Sequence, residues 1–204
     1  MDPRSLDASQ LDAVREVANI GAAHAATALS RMTDRTVMIN VPDVSVIRLE
    51  DVDRVVAEPG AVVAAIMMRL SGDLTGRMVQ VFPPASAATL AGILLGSPEP
   101  AFPDGYEELH RSALTEVGNI IAGAHLNALA EFMDMKLSMS PPALAIDMAG
   151  AVMATSYLNF GVEQDYAFCV HTVMTIGDAD VSAHTLLLPD ETSLRLMLGR
   201  MELA

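Results

Sequence analysis

Tryptophan is absent from this 204-residue chain, aromatic residues reach only 4%, and one cysteine occurs, Cys169. The apolar fraction of 51% therefore rests heavily on alanine and methionine. A lone cysteine cannot close an internal disulfide, which fits a reducing compartment. Long apolar runs are missing as well. Ala61–Met68 is among the longest, far short of the roughly 20 residues that span a bilayer. The first residues, MDPRSLDASQ, hold neither a basic stretch nor an apolar one, so no signal peptide is expected. These absences point to the cytoplasm. Basic side chains are scarce too: 12 against 26 acidic ones, for a formal charge of -14. That disfavours nucleic acid, which needs a basic surface, and an anionic membrane. It suits a solubilising surface or a partner with a basic rim.

Two stretches dominate what is present. Residues 10–33, QLDAVREVANIGAAHAATALSRMT, and 110–133, HRSALTEVGNIIAGAHLNALAEFM, each read as one long helix. In the first, Asp12, Glu16 and Asn19 stand at i, i+4 and i+7, within roughly 60° of one another on one face. Leu11, Val14, Val17, Ala18, Gly21, Ala25, Leu29 and Met32 cover the opposite, core-facing side. The second repeats this with Ser112, Glu116 and Asn119 outward, and with Leu114, Val117, Gly118, Ile121, Leu129 and Phe132 inward. Pro42 follows Asn19, and Pro142 follows Asn119, at the same distance. A Glu, an Asn and a Pro at fixed spacing arise by chance roughly once in ten thousand starts, at about 5% per residue type. Finding the set twice at an offset of 100 residues argues for a duplicated unit.

The rest of the chain supports the duplication. Residues 1–9 read as a short disordered or capping segment, with Ser9 or Asp7 as a helix cap. After the first helix, TVMINVPDVSV (36–46) has strand character broken by Pro42, which marks an edge, a bulge or a strand end. LEDVDRVVA (49–57) suits a short helical turn. AVVAAIMMRLSG and TGRMVQVFP form two strands joined through SGDLTG, and PASAATLAGILLG (84–96) forms a helix stopped by Gly96 and Pro98. SPEPAFPDG (97–105) is the linker. The second half replays the order: KLSMSPPALAI, a longer connector AIDMAGAVMATSYLNFG (145–161) expected to be helical, strands YAFCVHTVMTIG and DVSAHTLLLP meeting at Gly177–Asp178, and a closing helix ETSLRLMLGRM (191–201). The expected fold is α+β. Two pseudo-symmetric half-repeats, about 10–96 and 110–202, share one mainly antiparallel sheet with long helices packed on it, all in a single domain over 1–204.

A carboxylate and a carboxamide one turn apart on an exposed face suit few reactions. Glutamate supplies a charge for a partner's Lys or Arg. Asparagine is neutral yet both donates and accepts, so it can hold a water in line with an electrophile, as a glutamine does in GTPases. The phosphate, the metal and the leaving group would then come from another molecule. The plain alternative is a set of solvated polar residues on an amphipathic helix. Asparagine is a poor residue for a helix interior, however, and placing one at the same point twice needs a reason. The other candidates carry less. His24, His110, His125, His171 and His184 form no i, i+4 pair with a third ligand, and Cys169 completes no zinc set. His125 points to the core side and is expected to be buried and hydrogen-bonded. Ser112 has no adjacent base for covalent catalysis. Met67, Met68 and Met197 read as packing residues. Gly21 and Gly123 lie within helices, not in a phosphate loop, and are expected to let those helices approach the sheet.

The pattern Asp12-x3-Glu16-x2-Asn19-x22-Pro42, with its copy Ser112-x3-Glu116-x2-Asn119-x22-Pro142, resembles the signature of the CheC family of chemotaxis phosphatases, which includes CheX and FliY. NIGAAHAATALS and EVGNIIAGAHLNALA are similar to that family too, and the resemblance covers nearly the whole chain. It implies hydrolysis of the aspartyl phosphate of a CheY-like response regulator. Glu16 and Glu116 would contact a regulator lysine, and Asn19 and Asn119 would position the water, in two catalytic sites. Asp12, Ser112, Pro42 and Pro142 would be structural members of the motif. No cofactor of its own is implied, since Mg²⁺ belongs to the regulator. The resemblance also offers an adaptor reading, in which the chain binds the receptor deamidase CheD through the closing helix at Ser193–Met201. A flagellar-switch role like that of FliY is less expected, because little sequence follows the second repeat. Asn19 is followed by Ile20-Gly21-Ala22 and Asn119 by Ile120-Ile121-Ala122, so the two sites need not be equally active.

Overall fold

The computed structural model describes residues 8–58, 60–100, 103–158 and 166–201. The two long amphipathic stretches are helices α1 (Ala8–Thr33) and α4 (Glu108–Met133). Ser9 lies inside α1, while Asp7 falls outside the described residues. Each helix ends on an aspartate in the left-handed region, Asp34 (φ 51°) and Asp134 (φ 49°), a conformation that a short polar side chain tolerates. Glu107 caps the start of α4: its side chain accepts the His110 N–H, and its own N–H donates to His110 Nδ1 at 3.2 Å. His110 is thereby a capping residue.

Between and after these helices run β1 (Val37–Arg48), a 3-10 turn (Leu49–Asp51), α2 (Val52–Val56), β2 (Val62–Gly72), β3 (Gly76–Phe82) and α3 (Pro84–Leu95). Then, beyond α4, come β4 (Leu137–Met139), β5 (Ala143–Met148), α5 (Ala149–Leu158), β6 (Tyr166–Ile176), β7 (Ala179–Pro189) and α6 (Glu191–Met201). Residues 145–148, expected in a helix, belong instead to β5 and pair with β2. That pairing makes them a strand, and the two motif prolines punctuate the outer strands. Pro42 sits where the β1–β6 register slips between Asn40 and Asp43, and Pro142 sits in the break between β4 and β5. A residue that cannot donate to a ladder interrupts the outer strand at the same point in both halves.

All seven strands form one antiparallel sheet in the order β1-β6-β7-β3-β2-β4, with β5 also on β2. The order interleaves the halves. β1 pairs with the second hairpin, β6–β7, and β4 and β5 pair with the first, β2–β3. At the centre Gln80 faces Thr185, and 185 − 80 gives 105, the offset that also separates Gly72 from Gly177. Both side chains are buried and satisfied: Gln80 Nε2 donates to Thr185 Oγ1 at 2.9 Å, and that hydroxyl donates back to Gln80 Oε1 at 3.1 Å. The pseudo-twofold axis passes through this pair. On either side, a serine three residues into a closing helix accepts a backbone N–H from the other half: Ser86 from Ser182 at 3.0 Å and Ser193 from Thr75 at 2.8 Å.

Helices α1, α3, α4 and α6 cover one face of the sheet over clusters that include Leu29, Ile66, Phe82, Leu90, Leu114 and Ile121, and Val17, Phe168 and Met197. Helices α2 and α5 cover the other, over Val63, Val79, Val152 and Leu186. The α1 and α4 helices are antiparallel. Gly21 lies against His125, and Met32 and Thr33 share a cavity with Ala113 and Glu116. The close approach expected between Gly21 and the sheet is in fact a helix–helix contact. A Cβ at Gly21 would stand 2.8 Å from His125 Cα, whereas Gly118 meets the sheet at Ile66 and Gly123 touches only Met139 at ordinary distance. His125 is buried and holds Ile121 O through Nδ1 at 2.9 Å. Burial lowers its pKa. Met32, expected in the core, is exposed.

On the α2–α5 face, β6 and β7 set His171 directly opposite His184, rings stacked at 4.7 Å between centroids. Asp43 is in register with His171, whose Nε2 lies 2.9 Å from Ser182 Oγ. Burial, and then the charge of His171, lowers the pKa of His184 to about 4. Burial, and then Asp43, pushes the Cys169 thiol up to about 12, so it is unreactive at neutral pH.

Two outcomes follow from this packing. Gly21→Ala forces α1 away from backbone that cannot yield, and we expect a loss of about 1–3 kcal/mol in urea unfolding; an unchanged midpoint would contradict the contact. For His184, the folded-state pKa of about 4 lies below the ordinary 6.5, so the unfolded chain takes up the proton first. Stability from this group is complete above pH 6.5 and is lost as pH falls toward 4. Unfolding midpoints of His184→Gln should depend less on pH across that window than those of the parent, and parallel profiles would refute the assignment.

Candidate active site

The interleaved sheet fixes α1 and α4 as an antiparallel pair with their polar faces outward. Asp12, Glu16 and Asn19 are all exposed along α1, and Ser112 and Glu116 are exposed along α4, with Asn119 half-buried beside them. Within each helix, Val14, Val17 and Ala18, or Leu114, Val117 and Gly118, turn the other way into the core. Neither asparagine is sealed beneath the sheet. Because the helices are antiparallel, the two Glu/Asn pairs lie toward opposite ends of the pair.

The surroundings of the two sites differ. Asp12 is drawn to Arg15, whose Nη1 lies 3.1 Å from its carboxylate, an exposed contact worth little in stability. It leaves Glu16, one turn on, with the outward carboxylate. Glu116 borders two cavities. One, of about 220 Å³, is walled by Met32, Thr33, Ile93 and Leu94. The other, of about 320 Å³, is walled by Glu108, Arg111, Ser112, Thr115 and Leu144. The exposed Met32 thus forms a wall beside the second site. At the equivalent place by the first site the sequence has Phe132, which packs partly on the core. Ser112 shares the second cavity with the carboxylates of Glu108 and Glu116, and none of the described residues lining either cavity is a histidine.

Chemically, each face offers a glutamate and a carboxamide, to which α1 adds Asp12 and α4 adds Ser112. Among the described residues no cluster of His, Cys, Asp and Glu could hold a metal ion, and no helix is long and apolar enough to cross a membrane. The stacked His171 and His184 escaped a reading based on helical spacing, because only the β6–β7 register brings them together. They lie on the opposite face of the sheet from α1 and α4. The sequence reading also passed over the matching caps at Asp34 and Asp134, which the 100-residue offset could have revealed.

The model of the CheC-like family matches residues 10–46 and 109–146, the two segments that carry the Glu, Asn and Pro positions. The chain is 33% identical over 187 residues to the CheY-P phosphatase CheC of Bacillus subtilis, covering 90% of each chain. It is 28% identical over 186 residues to the putative CheY-P phosphatase CheC1 of Halobacterium salinarum, over 91% of this chain and 92% of that one. Among solved structures it is similar to Thermotoga maritima FliY, with a TM-score of 0.78, 20% identity, and 97% and 98% of the two chains covered. That last likeness confirms the fold, including its single α+β sheet. The two matched segments, and a relative at this identity over nearly the full length, establish that the chain belongs to the CheC-like family.

Proposed function

We propose that this protein is a phosphatase that removes the aspartyl phosphate from a CheY-like response regulator in the cytoplasm, within chemotaxis signalling. The observation that carries the reading is the duplicated, outward-facing Glu/Asn pair on a helix pair held rigid by the sheet. The names of the two CheC relatives support the substrate. Glu16 or Glu116 meets a basic side chain of the regulator and fixes the approach. Asn19 or Asn119 then reaches the phosphoryl group and orients a water for in-line attack, donating through its NH₂ and accepting through its carbonyl. An amide does this without ionising. The regulator brings the phosphoryl group, its Mg²⁺ and the aspartate that leaves, so this chain needs no metal of its own.

The cavities at Glu116 favour the α4 site as a place where regulator side chains can seat. A binding role toward a deamidase such as CheD can coexist with the enzyme. The exposed Leu196 on α6, between Arg195 and the buried Met197, favours that helix as a docking face. The neighbouring Ser193, first named in that surface, is buried against Thr75 and takes no part.

The test follows loss of phosphate from phosphorylated CheY with and without the protein. Positioning and charge contact together are worth about 10²-fold or more. The Asn19→Ala/Asn119→Ala double variant, folded by circular dichroism, should lose nearly all of the acceleration, and the single variants should divide it between the sites. Unchanged decay with the parent protein would leave only the binding role, and a loss of merely about twofold in the double variant would refute the water-positioning mechanism.

A further inference from the structure

Large apolar side chains stand open to solvent at six of the described positions, and two of the six flank Glu116. Met32 is 42% exposed at the end of α1, and Leu109 is 62% exposed in the first turn of α4. The cavity of about 220 Å³ beside Glu116 is walled by Met32, Ile93, Leu94 and Ala113. Among the described residues Glu116 alone brings charge to its lining. Leu109, four residues before Ala113, continues that face of α4 by one turn. Ile93 and Leu94 are half-buried, with their inner sides packed on the core. Helices α1, α3 and α4 thus present an apolar shelf that ends on a carboxylate. Such a solvated patch with a polar rim marks contact with another molecule.

The duplication would put the same shelf beside Glu16, and there the residues differ. At the offset of 100, Leu109 corresponds to the exposed Ser9, and Met32 to Phe132, which packs partly on the core. The closing helices align through Ser86 and Ser193, an offset of 107 (193 − 86), which sets Arg200 in the place of Ile93. Arg200 Nη1 donates to Met133 O at 3.1 Å, and Met133 is the counterpart of Thr33, which lines the cavity at Glu116. A polar group and a guanidinium therefore stand where the α4 site is apolar. We propose that Met32, Ile93, Leu94 and Leu109 are specificity-determining residues of the α4 site, seating an apolar side chain of the regulator next to the basic group that meets Glu116. This rests on the phosphatase reading above. Leu109 and Glu116 are seven residues apart, roughly 10 Å along the helix, so the fitting surface carries its apolar and basic groups within that span. The carboxylate fixes the approach, and burial of the shelf adds affinity. Because the shelf touches no reacting atom, it holds the regulator equally before and during the chemical step.

Steady-state turnover of phosphorylated CheY in the Asn19→Ala background, where only the α4 site acts, tests this. Leu109→Gln and Met32→Gln, both at exposed positions and checked by circular dichroism, should each raise KM about tenfold with kcat unchanged, the mark of lost uniform binding. Leu109→Met keeps the apolar surface and should keep the low KM. Met38→Gln, at an exposed methionine of β1 outside the cavity, should leave both constants at the background values. An unchanged KM in Leu109→Gln and Met32→Gln, a fall in kcat instead, or an equal rise in Met38→Gln would each overturn the shelf and leave the phosphatase reading standing. So would acceleration by the parent that vanishes in Asn19→Ala alone. No acceleration by the parent would overturn the phosphatase reading, and this inference with it.

Discussion

The outer ladders of the sheet each join one half of the chain to the other. Among the described residues β1 pairs with a strand of the second half and β5 with a strand of the first, so neither repeat completes its sheet alone. Backbone groups that are not paired with water must be paired within the fold, and the exchange satisfies them by interleaving. The satisfied Gln80–Thr185 pair at the centre holds the two hairpins in register about the axis. From that one constraint the rest follows. The sheet fixes its covering helices, and the Gly21–His125 contact locks α1 to α4. The polar stripe of each is left facing solvent, the two Glu/Asn pairs lying on either side of the middle of the helix pair.

Much of this could be read from residues alone. The 3.6-residue periodicity of 10–33 and 110–133 gave both helices and the side on which Glu16, Asn19, Glu116 and Asn119 stand. The turn chemistry of SGDLTG and Gly177–Asp178 gave both hairpins. Pro42 marked a real irregularity, a bulge in an edge strand. What could not be read was long-range. Residues 145–148 look helical beside the alanines that follow, and only pairing with β2 makes them a strand. The interleaved strand order has no local signature, nor does the stacking of His171 on His184, which depends on the β6–β7 register. Met32 fits the core stripe of α1 by spacing, yet it lies near the helix end where the sheet no longer covers it. Gly21 was legible as a close contact, but its partner was a helix.

The proposed division of chemistry accounts for the plainness of the site. On the proposed mechanism the protein supplies only a positioned amide and a carboxylate, which calls for no cavity deep enough to exclude water. It needs a rigid face. The long helices provide that, because each buries one side over the sheet and packs its flank on the other. Duplication gives two such faces, and their surroundings have diverged: Met32 stands open beside Glu116, while Phe132 packs inward beside the first site. The -14 charge suits the proposed task of these faces, attracting a basic rim around a phosphorylated aspartate.

The central claim is that an asparagine of α1 or α4 enters the regulator's phosphoryl site. A crystal structure of the complex with Mg²⁺-loaded CheY, its aspartate carrying beryllofluoride in place of phosphate, addresses it most directly. The account predicts the Asn19 or Asn119 amide within about 3 Å of a water in line with the beryllium, and the neighbouring glutamate against a regulator lysine. A regulator docked elsewhere, with both asparagines left in open solvent, would contradict it.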